Sequence, residues 1–246
     1  MKKLFTAVII FILPSFLAIW FLKLLGYKVD SSCKLGFSII LVQHLSLGKG
    51  ARIGHFNIIK CDVLELGAKA YFGKFNAVTG SMIINLMERA AIGNFNILSR
   101  GPLGVTYGKA IFQLGILSKL TSFHKVDLTR SIIVGDYTTF AGQASQIWTH
   151  GYYHHRTGAG RFRVDGEIYI GNNVYIGSAC LINQGIRIAD GITVGSNSTI
   201  SKSLIKPGLY VSQPLRFIES DPLEVEKRLK RVIADNLTDI VYEKEV

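Results

Sequence analysis

The chain is poor in cysteine, proline and acidic residues. Its 246 residues include only 3 Cys and 5 Pro, and 17 Asp+Glu stand against 28 Lys+Arg. The cysteines (Cys33, Cys61, Cys180) are too few and too scattered for a disulfide framework. They form no C-x-x-C metal pair, which favours a reducing compartment. An apolar fraction of 48% excludes a disordered chain, and the length suits one domain with short additions.

The shortage of acidic residues is uneven along the chain. Residues 219–246 hold 5 Lys+Arg and 8 Asp+Glu, which leaves 23 against 9 for the rest. A basic body of this kind predicts anionic partners such as nucleic acid, anionic lipid or phosphorylated metabolites. The sequence contains no nucleic-acid-binding motif and its charges are spread, so we do not expect a nucleic-acid partner.

One uncharged run lies close to the N-terminus. Residues 4–22 (LFTAVIIFILPSFLAIWFL) span nineteen positions, and as a helix they would measure roughly 28 Å, about one hydrocarbon core. We therefore predict a membrane anchor in residues 1–28. Pro14-Ser15 at its midpoint predicts a kink, and lysines flank both ends, so a spanning helix and a re-entrant hairpin are equally compatible. A cleaved signal peptide and a buried helix are the alternatives.

The body of the chain is an internal repeat. An aliphatic residue recurs every six positions, and a small residue follows most of them: Ile170, Ile176, Ile182, Ile188, Val194 and Ile200. A helix has a period of 3.6 residues and an isolated strand a period of 2, so a period of six predicts a triangular solenoid. Weaker hexads extend the pattern over residues 40–215 as about seven turns, with interruptions near 99–113 and 151–168.

The clearest hexads are similar to a known family. The segment IYIGNNVYIGSACLINQGIRIADGITVGSNSTISKSL (168–204) resembles the last turns of hexapeptide-repeat acyltransferases. In motif it is closest to the maltose/galactoside and colanic-acid type O-acetyltransferases. The resemblance covers residues 40–215. It implies an all-β fold, a left-handed parallel β-helix, with acetyl-CoA as acyl donor and a homotrimer as the assembly.

A C-terminal helix is expected in residues 219–246. Asp221, Pro222 and Glu224 form a helix-start pattern. One apolar stripe at helical spacing follows them: Leu229, Val232, Ile233, Leu237, Ile240 and Val241. We expect this helix to pack on the solenoid or on a neighbouring subunit.

The second interruption contains three of the six histidines. In the resembling acetyltransferases a loop just before the final hexads carries the catalytic base, and Thr149-His150-Gly151 occupies that place. A base is needed because a neutral hydroxyl is a poor nucleophile toward a thioester, and imidazole titrates in the right range. His150 is the predicted base. A surface histidine without a catalytic role is the alternative.

Other residues are weaker candidates for the same site. His154 and His155 are the next candidates for catalysis. Trp148, Arg156 and Arg161 are candidates for binding the acceptor, whose phosphates or hydroxyls the arginines would hold. His124 lies at a hexad position that is usually small, so we expect either a core histidine bonded to Asp127 or a backbone group, or a contact with the acceptor.

The resemblance also implies where coenzyme A binds. Backbone groups near Gly177 and Ser178 and the basic residues Lys202, Lys206 and Arg216 occupy the matching stretch. The usual exit motif of the family is altered here, because Gln213 and Leu215 replace a glycine and an alanine. Because of these differences, an acyl donor other than acetyl-CoA is an alternative.

A zinc enzyme of the same fold is a further alternative. His150 and His155 have the close-pair spacing of γ-type carbonic anhydrases, but the third ligand should fall near position 114, which is Leu114. We therefore expect no metal.

These observations predict a membrane-associated acyltransferase. It would move an acetyl group from acetyl-CoA to a hydroxyl of a surface-polysaccharide sugar or of its lipid-linked precursor. Because coenzyme A is cytoplasmic, we expect the bacterial inner membrane with the catalytic domain facing the cytoplasm. A non-catalytic, membrane-tethered β-helix scaffold and an N-acyltransferase of a nucleotide sugar are the alternatives.

Overall fold

The computed structural model describes residues 2–212, 222–234, 237 and 240–244. Three helices are found: α1 (Lys2–Ile12), α2 (Ser15–Leu24) and α3 (Pro222–Glu226). The strands, in chain order, are β1 (Lys28–Val29), β2 (Lys34–Leu35), β3 (Ile39–Leu41), β4 (His44–Leu47), β5 (Arg52–Ile53), β6 (Ile58–Lys60), β7 (Val63–Leu66), β8 (Tyr71–Phe72), β9 (Ala77–Thr79), β10 (Ile83–Leu86), β11 (Ala91–Ile92), β12 (Ile97–Ser99), β13 (Ile111–Leu114), β14 (Lys119–Leu120), β15 (Lys125–Asp127), β16 (Ile132–Val134), β17 (Thr139–Phe140), β18 (Gln146–Ile147), β19 (His150–His154), β20 (Arg161–Asp165), β21 (Ile168–Ile170), β22 (Tyr175–Ile176), β23 (Leu181–Ile182), β24 (Arg187–Ile188), β25 (Ile192–Val194), β26 (Thr199–Ile200), β27 (Gly208–Tyr210), β28 (Lys230–Arg231) and β29 (Val241–Glu243).

Three parallel sheets wind around one core. Sheet I has the order β1-β4-β7-β10-β13-β16-β21-β24, sheet II the order β2-β5-β8-β11-β14-β17-β22-β25-β27, and sheet III the order β3-β6-β9-β12-β15-β18-β23-β26. Each turn thus gives one strand to each sheet, which is the arrangement of a β-helix. We call the corner where the chain passes from sheet III to sheet I the III–I corner, and the one from sheet II to sheet III the II–III corner.

The inward residues of the hexads form the core. Ile176, Ile182 and Val194 are fully buried, as are Phe72, Phe112 and Phe140 in the earlier turns. Each turn stacks its apolar residues on those of the next, so burial is shared between neighbouring turns. The period of six in the sequence therefore corresponds to the observed core.

The β-helix has eight complete turns, whereas the sequence predicts about seven. The additional turn is the first one, formed by β1, β2 and β3 before residue 42. Its inward residues Val29 and Leu35 are six positions apart and both are buried. This turn continues the hexad pattern toward the N-terminus, beyond the predicted boundary at residue 40.

The apolar run of residues 4–22 forms the short helices α1 and α2, so the kink predicted at Pro14-Ser15 is found and a single long helix is not. The break falls at Leu13-Pro14, because proline lacks a backbone donor and its ring clashes with the preceding turn. In the described part of the chain, no helix has the length and apolarity needed to cross a membrane. Helix α1 contacts β3, and α2 contacts β1 and β2. We call residues 2–25 the helical cap, since they cover the first turn.

A ladder of buried amides lines the II–III corner. Asn57, Asn76 and Asn96 are buried, and each side-chain oxygen accepts the backbone N–H of the residue one turn later. His124 takes the next place in the ladder and is 0% exposed. Its Nδ1 accepts the backbone N–H of Ser145 at 3.2 Å, and its Nε2 lies 2.9 Å from Thr121 Oγ1.

The outside of the same corner carries stacked phenylalanines. Phe56, Phe75, Phe95 and Phe123 all have a positive φ of 57–60°, which the tight corner requires. Their ring centroids are 4.8–5.2 Å apart from one turn to the next. All four rings are exposed, so they form a continuous apolar column on the surface.

The two predicted interruptions are both found at the III–I corner. Residues 100–110 leave the β-helix between β12 and β13, and residues 148–167 leave it between β18 and β21 as the antiparallel hairpin β19–β20. Strand β29 pairs in parallel with β20, and β28 pairs with β29, which makes a four-stranded sheet beside the β-helix.

The predicted C-terminal helix is wrong over most of its length. Helix α3 ends at Glu226, and two strands, β28 and β29, follow it; Val241 of the apolar stripe lies in β29. Tyr242 packs with Phe162 and Val164 of the hairpin and Val241 is also buried, whereas Ile233 is almost fully exposed. The open edge of β20 provides backbone partners for β29, and this pairing overrides the helical spacing. The proposed N-cap Asp221 lies outside the described residues.

The buried ladder generates a prediction about pH. Burial lowers the pKa of His124 to about 4. Between pH 6.5 and pH 4 the unfolded chain binds a proton that the folded protein does not. As the pH decreases through this range, the free energy of unfolding should therefore fall by up to about 1.4 kcal/mol per pH unit. His124→Asn continues the amide ladder and should remove this part of the slope. Denaturant unfolding across that range measures it.

His44→Asn is the matched control, because His44 is exposed. It should leave the slope as in the wild type. Equal slopes for His124→Asn and the wild type would contradict the prediction.

Candidate active site

The predicted base lies at the III–I corner, at the start of β19. His150 is three residues beyond Ile147, the last sheet III residue of its turn, where the chain leaves the β-helix to form the hairpin. Its side chain is 26% exposed. The ring is therefore held by the protein on one side and accessible to solvent on the other.

Asp127 holds the imidazole from the turn below. Its Oδ2 is 2.9 Å from His150 Nδ1, and Thr129 Oγ1 lies 3.1 Å from the same nitrogen. An ionised carboxylate can only accept hydrogen bonds, so Nδ1 carries the proton that it donates to Asp127. In the neutral ring this leaves Nε2 unprotonated and able to accept a proton.

The carboxylate of Asp127 is buried but well supplied with donors. Thr149 donates its hydroxyl at 2.6 Å and its backbone N–H at 3.0 Å to Oδ2, and Thr129 donates its hydroxyl to Oδ1 at 3.0 Å. Burial by itself would raise the pKa of Asp127. The hydrogen bond and charge of His150 and the two threonines outweigh it, so the pKa lies below its ordinary value of 3.8. The carboxylate is ionised at neutral pH and orients the ring.

Two exposed aromatic residues flank the base. The rings of Trp148 and Tyr152 each meet His150 edge to face, with centroids 6.1 and 6.0 Å away. The guanidinium of Arg161 lies 5.0 Å from the centroid of the Tyr152 ring. Sequence reasoning named Trp148 and Arg161 but missed Tyr152, which lies on the same face of β19 as His150 because alternate residues of a strand share a face.

A buried ion pair supports the hairpin from below. Arg163 and Asp165 of β20 are almost fully buried, and Arg163 binds both carboxylate oxygens at 2.7 and 3.0 Å. Asp165 is the direct strand partner of His150, and Arg163 also donates to the carbonyl of Val105. The 100–110 insertion therefore packs against the hairpin that presents the base.

The C-terminal strand is bonded to the same region. Glu243 of β29 accepts a hydrogen bond from Arg130 Nη2 at 2.6 Å, and Glu167 lies 3.4 Å from that nitrogen. The backbone N–H of Arg130 donates to Thr149 Oγ1 at 3.0 Å, and that hydroxyl binds Asp127. A chain of polar contacts thus runs from the last described residues to the carboxylate that holds the base.

The remaining candidates in the hairpin lie away from His150. His154 and His155 are exposed at the far end of β19, and an extended chain of four residues spans roughly 13 Å. The backbone N–H of His155 donates to the carbonyl of Gly160. Arg156 is exposed in the turn between the two strands.

The structure distributes the other predicted residues over different corners. His124 is enclosed in the II–III ladder, bonded to Ser145 and Thr121, while Asp127 bonds His150 instead. Gly177 and Ser178 lie at the II–III corner of a later turn. The N–H of Gly177 is donated to the carbonyl of Val194 in the β-helix ladder.

The basic residues near the C-terminal end of the β-helix divide in the same way. Lys202 lies at the III–I corner two turns beyond His150, about 10 Å along the axis. Lys206 is exposed just before β27, on the way to sheet II. Arg216, with Gln213 and Leu215, lies outside the described residues.

No cluster of three or more His, Cys, Asp or Glu side chains able to hold a metal occurs among the described residues. Leu114, at the place of a third zinc ligand, is fully buried in β13.

No protein-family model matches the chain, and no curated protein matches it by sequence. Among solved structures, the chain is similar to the polysialic acid O-acetyltransferase OatWY, with a TM-score of 0.52 and 13% identity over 80% of this chain and 91% of that chain. The likeness shows that the two share a fold.

Two further structures are less similar. The polySia-specific acetyltransferase NeuO has a TM-score of 0.40 and 16% identity over 78% of this chain and 86% of that chain. AntD, an N-acyltransferase from Bacillus cereus solved with dTDP and 3-hydroxybutyryl-CoA, has a TM-score of 0.36 and 16% identity over 87% and 94% of the two chains. These two TM-scores are too low to support an argument about this chain.

The dyad generates a prediction about activity. In Asp127→Asn the amide can donate to His150 Nδ1, which shifts the ring proton to Nε2 and removes the base. For the acyl-transfer activity proposed below, we expect the rate to fall by about 10²-fold or more. Asp190→Asn is the matched control, because Asp190 caps a backbone N–H at a remote corner. Equal loss in both variants, or no loss in Asp127→Asn, would contradict the role of the dyad.

The same carboxylate generates a prediction about stability. Since the folded pKa of Asp127 lies below 3.8, its stabilising contribution is complete above that pH and is lost as the pH falls through the folded value. The stability difference between wild type and Asp127→Asn should therefore narrow below about pH 4. Denaturant unfolding at several acidic pH values measures the difference. A constant difference across that range would show that Asp127 is not held in its ionised form.

Proposed function

We propose that the protein is an acyltransferase that moves an acetyl group from acetyl-CoA to a sugar hydroxyl. The acceptor is a surface polysaccharide or its lipid-linked precursor. The observation that carries the proposal is the His150–Asp127 dyad at one corner of a β-helix, with the imidazole partly exposed between two aromatic side chains.

The dyad suits direct transfer without a covalent enzyme intermediate. His150 Nε2 takes the proton of the acceptor hydroxyl while its oxygen attacks the thioester carbonyl carbon. The tetrahedral oxyanion then collapses, the C–S bond breaks, and the imidazolium returns its proton to the thiolate sulfur. Asp127 stabilises the imidazolium through Nδ1 and keeps the ring in one orientation.

The surroundings of the base suit a carbohydrate. Trp148 and Tyr152 offer exposed aromatic rings on either side of His150, against which the apolar face of a sugar can pack. Arg161, next to Tyr152, provides donors for a hydroxyl, carboxylate or phosphate of the acceptor. Arg156 lies further along the same hairpin.

The donor site is proposed on the later turns of the β-helix. Lys202 lies on the same corner as His150, whereas Gly177, Ser178 and Lys206 lie on other corners of one chain. A donor groove between two subunits of a homotrimer would bring residues of different corners together. The exposed phenylalanine column at the II–III corner offers an apolar surface for such an assembly. We place the enzyme at the bacterial inner membrane, facing the cytoplasm, where coenzyme A is available.

Substitution of the base is the central test. Purified wild type, His150→Ala and His154→Ala are incubated with acetyl-CoA and a panel of acceptors, and free thiol is measured. The panel includes polysialic acid, lipid-linked glycans and amino sugar nucleotides. We expect thiol release that depends on the acceptor and falls by about 10²- to 10⁴-fold in His150→Ala. The exposed His154 at the hairpin end should be replaceable with little loss.

The outcomes separate the alternatives. Release only with an amino sugar nucleotide would establish N-acyl transfer and contradict the hydroxyl acceptor. Equal release by wild type and His150→Ala would contradict the proposed base. Absence of both turnover and coenzyme A binding would favour the non-catalytic scaffold.

A further inference from the structure

The outer face of the helical cap is strongly apolar. Phe5, Phe16 and Trp20 are 60%, 71% and 56% exposed. Further large apolar side chains of the cap are also exposed: Leu4, Val8, Phe11, Ile12, Leu17, Phe21 and Leu24. Contiguous apolar surface of this kind is rare on a protein that has no partner there.

Covering the β-helix does not explain this face. The opposite face of the cap covers the β-helix, because Ile10, Ala18 and Leu22 are buried in the main core. Ser15 Oγ also accepts the backbone N–H of Leu35 in the first turn. Polar residues on the outer face would leave all these contacts intact, so the exposed apolar residues serve another purpose.

The charged residues of the cap itself are all lysines. Lys2, Lys3, Lys23 and Lys28 lie in the cap or directly after it, and the first acidic residue of the chain is Asp30. Aromatic and aliphatic side chains bordered by lysines are typical of segments that lie in the interface of a bilayer with anionic lipids. A second copy of the cap would bring four positive charges against four others, which opposes self-association.

We propose that the helical cap is an interfacial docking surface for a membrane with anionic headgroups. The two helices have 11 and 10 residues, so each is about 16 Å long, half of a hydrocarbon core. The cap therefore lies in the plane of the interface and does not span the membrane. The phenylalanine and tryptophan side chains enter the acyl region, and the lysines meet the headgroups.

A cleft beside the cap fits the same partner. It has a volume of about 830 Å³, and its lining includes Lys2, Lys3, Lys60 and Asp62. The carboxylate of Asp62 is already bonded to the side chains of Gln43 and Ser81. The three lysines thus provide the charge that a lipid phosphate would meet at the foot of the III–I corner.

This surface would place the active site at a definite height. The cap covers the first turn and His150 lies at the same corner as the cleft, five turns further on. Successive turns are about 4.8 Å apart, so the site lies about 25 Å from the cap along the axis. A chain extending from a membrane lipid can reach that height.

Vesicle binding tests the proposal. Full-length protein is mixed with vesicles of 30% phosphatidylglycerol and 70% phosphatidylcholine, and with vesicles of phosphatidylcholine alone, and bound protein is measured by flotation. We expect binding to the anionic vesicles that weakens at high salt. Phe5→Ser/Phe16→Ser/Trp20→Ser should reduce it by about tenfold or more. These side chains are exposed, so thermal unfolding should be unchanged.

Two control variants separate specific from general effects. Ile205→Ser/Leu209→Ser/Val211→Ser removes three exposed apolar residues at the other end of the β-helix and should bind as the wild type does. Lys2→Gln/Lys3→Gln/Lys23→Gln should weaken binding to anionic vesicles only. Lys109→Gln/Lys119→Gln/Lys125→Gln removes three exposed lysines elsewhere and should have a smaller effect.

The depth of Trp20 distinguishes docking from insertion. In a Trp148→Phe background Trp20 is the sole tryptophan, and lipids brominated near the headgroup should quench it more than lipids brominated at the chain end. Stronger quenching from the chain end would overturn the proposal in favour of a deeply inserted segment. It would also be overturned by equal binding of the apolar variant and the wild type. Dimerisation without vesicle binding, abolished in the apolar variant, would show that a second copy covers the face.

Discussion

The backbone of each turn must form its hydrogen bonds with the neighbouring turns. The parallel ladders of the three sheets do this on the flat faces, and at the corners the chain must bend sharply enough to start the next strand in register. The bends impose a left-handed backbone conformation on phenylalanine and lysine as well as on glycine, as at Phe75 and Lys69. When every corner bends in this way, successive turns lie in register. The aliphatic column, the amide ladder and the phenylalanine column then follow, because equivalent residues of successive turns stack.

The candidate site lies at the III–I corner, where the described chain does not always turn directly into the next strand. Both long departures from the β-helix occur at the III–I corner, and there the ladder brings Asp127 of one turn beneath His150 of the next. Their distance is set by strand spacing and not by a flexible loop. The hairpin then contributes Tyr152 and Arg161, and its buried pair Arg163–Asp165 fixes its position. A rigid solenoid thus supplies the precision, and one interruption supplies the chemical groups.

Much of the fold and part of the candidate site can be predicted from the sequence. The hexads from Ile170 to Ile200 place each inward residue correctly, and the loop before them identifies His150 as a candidate. Of the two partners expected for His124, the structure has the backbone group, Ser145 N–H, while Asp127 bonds His150. That pairing follows from strand register, because Val126 pairs with Ile147 one turn later. The first turn was not predicted from the sequence, because its two hexads directly follow the apolar run that predicts a membrane anchor. Spacing alone could not distinguish a C-terminal helix from strands that need the open edge of β20.

The pairing of β29 with β20 has a consequence for biosynthesis. Arg163 and its partner Val241 are separated by almost 80 residues, whereas neighbouring turns of the β-helix are joined by about 20. At a synthesis rate of about 5–20 residues per second, the hairpin leaves the ribosome several seconds before the strand that completes its sheet. The β-helix can assemble turn by turn as it emerges, but the support of the His150–Asp127 pair through Glu243 and Arg130 forms only at the end. A chain in the course of synthesis therefore has a core long before its candidate site is complete.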